Sequence, residues 1–129
     1  MSFQELFQSA DWKKEKHSPV IEIIAAKKGQ PVTIQVSIGK EIPHPNTTEH
    51  HINWIDVYFQ PSGEKFAVQL GKFEFTAHGA SITGANSSTI YSEPNVTLLF
   101  KTDKSGVLYA SSYCNIHGLW ASEQELKLA

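Results

Sequence analysis

Cys114 is the only cysteine among 129 residues, and a histidine follows it three positions later in Cys114-Asn115-Ile116-His117-Gly118-Leu119-Trp120. Three of the other five histidines share one stretch, His44-Pro45-Asn46-Thr47-Thr48-Glu49-His50-His51, and His17 follows Glu15-Lys16. One thiolate with several imidazoles is a ligand set for a redox-active first-row metal. A lone thiol makes no intrachain disulfide, which leaves ligand or nucleophile as its special roles. Its ordinary role would be that of a small buried hydrophobe. A histidine three residues away in a turn weakens that ordinary role, because Cys-x-x-His aims two donors at a single ion.

His17, His44, His117 and one of the adjacent His50 and His51 would bring four imidazoles to one sulfur, from three segments. In an extended segment neighbouring side chains point to opposite sides, so His50 and His51 do not both serve; spacing does not choose between them. Structural zinc is four-coordinate and usually thiolate-rich, and this set exceeds it. Iron or copper suits the set better. A blue-copper site needs two histidines, a cysteine and a weak axial donor. The sole methionine is Met1, so Gln124 would have to be axial, leaving His17 and one of His44 and His50 unexplained. His78, in Thr76-Ala77-His78-Gly79, reads as an ordinary hydrogen-bonded histidine.

Lys16 and Glu15 flank His17 directly. A lysine beside an open coordination position attracts small anions and helps deliver a proton. A glutamate there binds the ion when its charge rises, or moves aside to admit a ligand. Lys13 and Lys14 read as a solvated charge run, and the whole cluster can steer a small anion.

These residues must be positioned by short strands. Val32-Thr33-Ile34-Gln35-Val36-Ser37-Ile38 alternates apolar and polar side chains, the mark of a half-buried strand. Further strands are expected over Val20–Ala25, Ile52–Phe59, Phe66–Leu70, Lys72–Ala77, Val96–Lys101 and Val107–Tyr113. Turn residues separate them, at Lys28-Gly29-Gln30-Pro31, Pro61-Ser62-Gly63, Gly71 and Asp103-Lys104-Ser105-Gly106. About seven strands at intervals near ten residues predict an all-β antiparallel sandwich. Ser2–Phe7 is expected to form a helical turn or two, and Trp12, Trp54 and Trp120 to pack in the core or its shell. Trp120 is placed to cover the metal loop. A sandwich gathers its loops at two ends, so three loops at one end can join the donors.

Length fits one domain over residues 1–129. A net charge of −2 does not suggest a nucleic-acid or membrane-surface protein. No signal-peptide pattern opens the chain, and no apolar run of about 18 residues is present. With one free thiol, these features predict a cytoplasmic protein.

Together the motifs resemble those of superoxide reductase, in its one-iron class, neelaredoxin. The resemblance is carried by Glu15-Lys16-His17 with Pro19, by Gly39-Lys40-Glu41-Ile42-Pro43-His44 through His51, and by Ser112-Tyr113-Cys114 through Trp120. Phe75-Thr76-Ala77-His78-Gly79 also looks like a family segment. The two-iron relatives, the desulfoferrodoxins, carry an added four-cysteine domain that a single cysteine rules out here. The resemblance implies an immunoglobulin-like sandwich and one mononuclear iron (Fe2+/Fe3+). It implies His17, His44, His50 and His117 as equatorial ligands, Cys114 as the axial thiolate, and His51 as no ligand. Glu15 would bind the sixth position of the ferric ion, and Lys16 would lie over that position in the ferrous form. Backbone N–H groups of Ile116 and His117 would hydrogen-bond the sulfur. The implied activity is one-electron reduction of superoxide to hydrogen peroxide, in a homotetramer supplied by rubredoxin or a similar donor. The competing readings are a cupredoxin-like electron carrier with copper or iron, and a structural zinc module.

Overall fold

The computed structural model describes residues Met1–Ala129. Seven strands run in chain order: β1 Val20–Ala25, β2 Val32–Ser37, β3 Ile52–Pro61, β4 Val68–Glu74, β5 Asn95–Phe100, β6 Gly106–Cys114 and β7 Gly118–Leu126. They form two antiparallel sheets, ordered β1-β2-β5 and β4-β3-β6-β7. The expected all-β sandwich is the observed architecture. No helix is long and apolar enough to cross a membrane.

Strand parity builds the core. Val32, Ile34 and Val36 of β2 are fully buried while Thr33 and Gln35 between them are partly exposed. Leu108, Ala110 and Cys114 of β6 share the inward face, and Ile55, Val57 and Phe59 meet them from β3. Each aliphatic side chain removed from water in this way contributes roughly 1.5–3 kcal/mol. Cys114 is thus the last inward residue of β6, carried to the edge of the core by the strand's period of two.

Register sets which ends lie together. Val20 pairs with Ser37 and Ser37 with Asn95 in one sheet, while Ile52 pairs with Cys114 and Cys114 with Gly118 in the other. The loops over residues 8–19, 38–51 and 115–117 therefore emerge at one end of the sandwich. Gly118 takes φ +81° to close the three-residue β6–β7 hairpin. Gly39 takes φ +82°, and a Cβ there would stand 2.5 Å from the His44 nitrogen, so only glycine lets this loop fold back on itself.

Two expectations need correction. Phe66–Leu70 and Lys72–Ala77 are not two strands: β4 runs through Gly71, with a bulge opposite Val57 and Tyr58. Gly71 serves close approach, since a Cβ would lie 3.1 Å from the Phe73 ring. The second difference is β7, which the pattern did not reveal. Its Glu123-Gln124-Glu125 stretch is exposed and shows no alternation, and pairing with β6 imposes its strand conformation. Gln8 then caps the β7 edge, its N–H reaching Leu119 O at 2.9 Å and its carbonyl accepting from Ala121 at 2.9 Å. The N-terminal turn is a 3-10 segment over Phe3–Leu6, as Ser2–Phe7 led one to expect.

Candidate metal centre

Ring nitrogens and one sulfur from the three loops converge at the end of β6. His17 Nε2 lies 3.2 Å from His117 Nδ1, and Cys114 Sγ lies 3.4 Å from His44 Nε2 and 3.8 Å from His117 Nδ1. Donor atoms of His17, His50, Cys114 and His117 all fall within 4.8 Å of one another. The His44 ring is 4.7 Å from that of His17 and 4.8 Å from that of His50. Four imidazoles and one thiol thus face a common centre. Cys114 and His17 are buried, His44 and His50 partly so, and His117 is exposed.

The arrangement fits a bound metal. His50 Nε2 is buried and has no hydrogen-bond partner, a costly state for an isolated polar atom. A metal ion would satisfy that lone pair. His44 Nδ1 donates to the Pro45 carbonyl at 2.6 Å, which leaves its Nε2 lone pair facing the sulfur. Burial pushes the His44 pKa down to about 4, despite the Pro45 carbonyl, and burial likewise lowers that of His50 with help from the neighbouring His117 and His17. Neutral imidazole is the form that binds metal. One sulfur among four nitrogens remains too nitrogen-rich for a usual structural zinc site.

His50 and His51 diverge as adjacent residues must. His51 turns away, its Nδ1 donating to the Thr47 carbonyl at 2.8 Å and its ring lying flat on His78 at 3.5 Å. Gln124 is remote: it is exposed on β7 and pairs with Leu108, six residues along β6 from Cys114. At about 3.3 Å per residue that is roughly 20 Å, so it offers no axial donor.

Glu15 does not join the cluster. Its Oε2 accepts from His17 Nδ1 at 2.5 Å, and Oε1 accepts from the N–H groups of His17 and Ser18, the latter at 3.0 Å. Burial pushes the Glu15 carboxyl up, but these hydrogen bonds outweigh it and hold the pKa below the usual carboxylate value. The carboxylate thereby orients the His17 ring, a role typical of groups behind metal-binding histidines. Lys16 is half-buried beside the cluster, and its charge lowers the pKa of both His44 and His50. At the sulfur the His117 N–H approaches Sγ at 3.4 Å. The Ile116 side chain is 59% exposed at the tip of the turn. Its N–H makes no matching bond: of the two expected backbone donors, only that of His117 reaches the sulfur.

Trp120 covers the site as its position in the motif led one to expect. Its ring stacks on His17 at 4.8 Å, and its Nε1–H donates to the His117 carbonyl at 3.2 Å. Like Trp12 and Trp54 it lies in the half-exposed shell, outside the core. Sequence reasoning missed the groups that tie the loops together. The Asn115 amide accepts from the His51 N–H at 2.9 Å and donates to the Glu49 carbonyl at 2.9 Å. Asn86, in a left-handed conformation at φ 52°, accepts from the Thr48 N–H at 2.8 Å. Asparagine is the residue type that tolerates that backbone state, but only the folded chain brings it to Thr48.

The desulfoferrodoxin family model matches residues 9–123. The chain is 56% identical to the superoxide reductase of Pyrococcus furiosus, over 95% of this chain and 98% of that one. It is 53% identical to the neelaredoxin of Megalodesulfovibrio gigas, over 99% of each chain. Among solved structures it resembles the reduced superoxide reductase (neelaredoxin) of Archaeoglobus fulgidus, with TM-score 0.92 and 60% identity over 95% of this chain and 99% of that one. A sandwich whose loops gather one thiol and four imidazoles, matched over nearly its full length by these proteins, belongs to the superoxide reductase family described by the desulfoferrodoxin model.

Proposed function

We propose that this chain is a superoxide reductase that adds one electron and two protons to superoxide, giving hydrogen peroxide. The observation that carries the reading is the convergence of His17, His50, His117 and Cys114 within 4.8 Å, in a chain of this family. In this reading His17, His44, His50 and His117 hold one iron ion with Cys114 as the thiolate. Iron supplies the one-electron Fe2+/Fe3+ couple, and the thiolate and neutral imidazoles tune it.

The residues around the donors divide the remaining work. Lys16 is in no ion pair, so its charge is free to draw the superoxide anion inward and to help deliver a proton. Glu15 orients His17 through Nδ1 and caps the site in the oxidised state, which requires its carboxylate to leave His17. Trp120 shields the His17 face from water. The His117 N–H partly neutralises the thiolate and so moderates its donation. A rubredoxin-like donor, a homotetramer and a cytoplasmic setting complete the reading as family expectations.

Metal analysis of the purified chain, coupled to superoxide consumption with peroxide and oxygen both measured, tests it. Peroxide formed at a reductant's expense without oxygen release is the expected result. Oxygen release would indicate dismutation, and a redox-silent zinc protein would defeat the reading.

A further inference from the structure

The loop over residues 38–51 supplies His44 and His50 yet contains no strand. Its own hydrogen bonds around His50 amount to one turn, in which Thr47 N–H donates to His50 O at 2.9 Å and His50 N–H to Thr47 Oγ1 at 3.0 Å. Further support comes from Asn115 and from the segment 75–92, where one residue touches three residues of the loop. His78 is 9% exposed. Its Nε2 lies 2.6 Å from the Phe75 carbonyl, which anchors the ring to its own segment. Its Nδ1 lies 3.0 Å from Asn46 Oδ1, while the Asn46 amide NH2 is held by the Ser92 carbonyl at 2.9 Å. Its ring lies 3.5 Å from the His51 ring at an interplanar angle of 5°, and its carbonyl accepts from Thr48 Oγ1 at 2.6 Å.

We propose that His78 is a positioning residue of the metal centre: by fixing Asn46, Thr48 and His51 it sets the direction in which His44 and His50 present their Nε2 atoms. The proposal rests on the metal-site reading above. Asn46 is two residues after His44, and His51 directly follows His50. Because His51 directly follows His50, holding the His51 ring against His78 holds the backbone from which the His50 ring projects. Groups that support metal-binding residues in this way typically change metal affinity by about 10–100-fold when removed.

The test uses the full chain loaded with iron. His78→Phe keeps a flat ring against His51 and removes both polar contacts, His78→Gln keeps a donor without the ring, and Asn46→Ala removes the facing oxygen. Iron release to a chelator, the energy of the thiolate-to-iron charge-transfer band, and amide hydrogen exchange over residues 46–51 in the metal-free chain are measured. Circular dichroism confirms that each variant folds. His78→Phe and Asn46→Ala should each release iron about 10–100-fold faster, with a shifted band and faster exchange confined to that loop, and His78→Gln should recover part of the loss. Folded variants with unaltered release, band and exchange overturn the proposal; if His78→Phe does not fold, the other two decide on the same readouts. A wild-type chain with no iron and no band overturns the metal-site reading itself, which separates the two failures.

Discussion

The middle of the sandwich and its site end bury side chains for opposite reasons. In the middle, Ile34, Val57 and Leu108 are fully buried among other apolar groups. At the site end His17, Ser18 and His78 are also buried, and nearly every polar atom needs a named partner: Glu15 for His17, Asn46 and Phe75 for His78. His50 Nε2 has none. The middle is stable because of what it excludes from water, whereas the site end gathers donors in an arrangement that fits a metal ion. Cys114 belongs to both, being part of the apolar cluster through its strand and part of the donor cluster through its sulfur.

That contrast can be broken most directly at Cys114. Cys114→Ser should abolish the thiolate-to-iron charge-transfer band while the sheet signal in circular dichroism persists. A surviving band would remove the sulfur from the centre. Ile34→Ala should do the reverse, costing about 2–5 kcal/mol in chemical unfolding of the metal-free chain, with the band of the iron form unmoved. A shifted band would mean that core and site are not separable. Lys16→Ala should slow the reaction with superoxide by about tenfold at low salt and flatten its ionic-strength dependence, with iron retained. An unchanged rate at low salt would defeat the steering role.

The smallest effect should come from β3 in the four-stranded sheet. Tyr58 donates to Asp56 at 2.6 Å, and this hydrogen bond to the carboxylate, with burial, raises its pKa to about 12. The group is neutral in the fold and ionises near 10 when unfolded. Its contribution is therefore present below pH 10 and is lost as the pH rises from about 10 through about 12. Tyr58→Phe should flatten that alkaline limb of the stability curve and leave metal binding untouched. Identical alkaline limbs in the two proteins would remove Tyr58 from the account.

Much of the fold was legible because period-two alternation is a local property. β1, β2, β3 and β6 fall close to where Val20, Val32, Ile52 and Val107 open their apolar patterns. The pattern failed at Gly71, where a glycine inside a strand, close to the Phe73 ring, looked like a turn, and over β7, where an exposed edge strand needs no apolar face. In the site, the donor types and the Cys-x-x-His turn were visible as residues.

The sequence by itself determined the chemistry available: one thiol, the cluster of histidines, and a lysine and a glutamate beside His17. The expected strand stopped at Tyr113, and it is the folded β6 that extends to Cys114 and turns it inward. Only the tertiary structure decided how those groups meet. Antiparallel register brings Val20, Ser37, Ile52 and Cys114 to one end, and no short stretch of sequence encodes that pairing. The choice between His50 and His51, left open by spacing, is expressed in three dimensions by the His78 ring, which lies 27 residues beyond His51 and holds it away from the donor cluster. Glu15 is directed onto His17 by hydrogen bonds that exist only once the turn has formed. Residue type is carried by the chain, whereas direction is a property of contacts between distant segments.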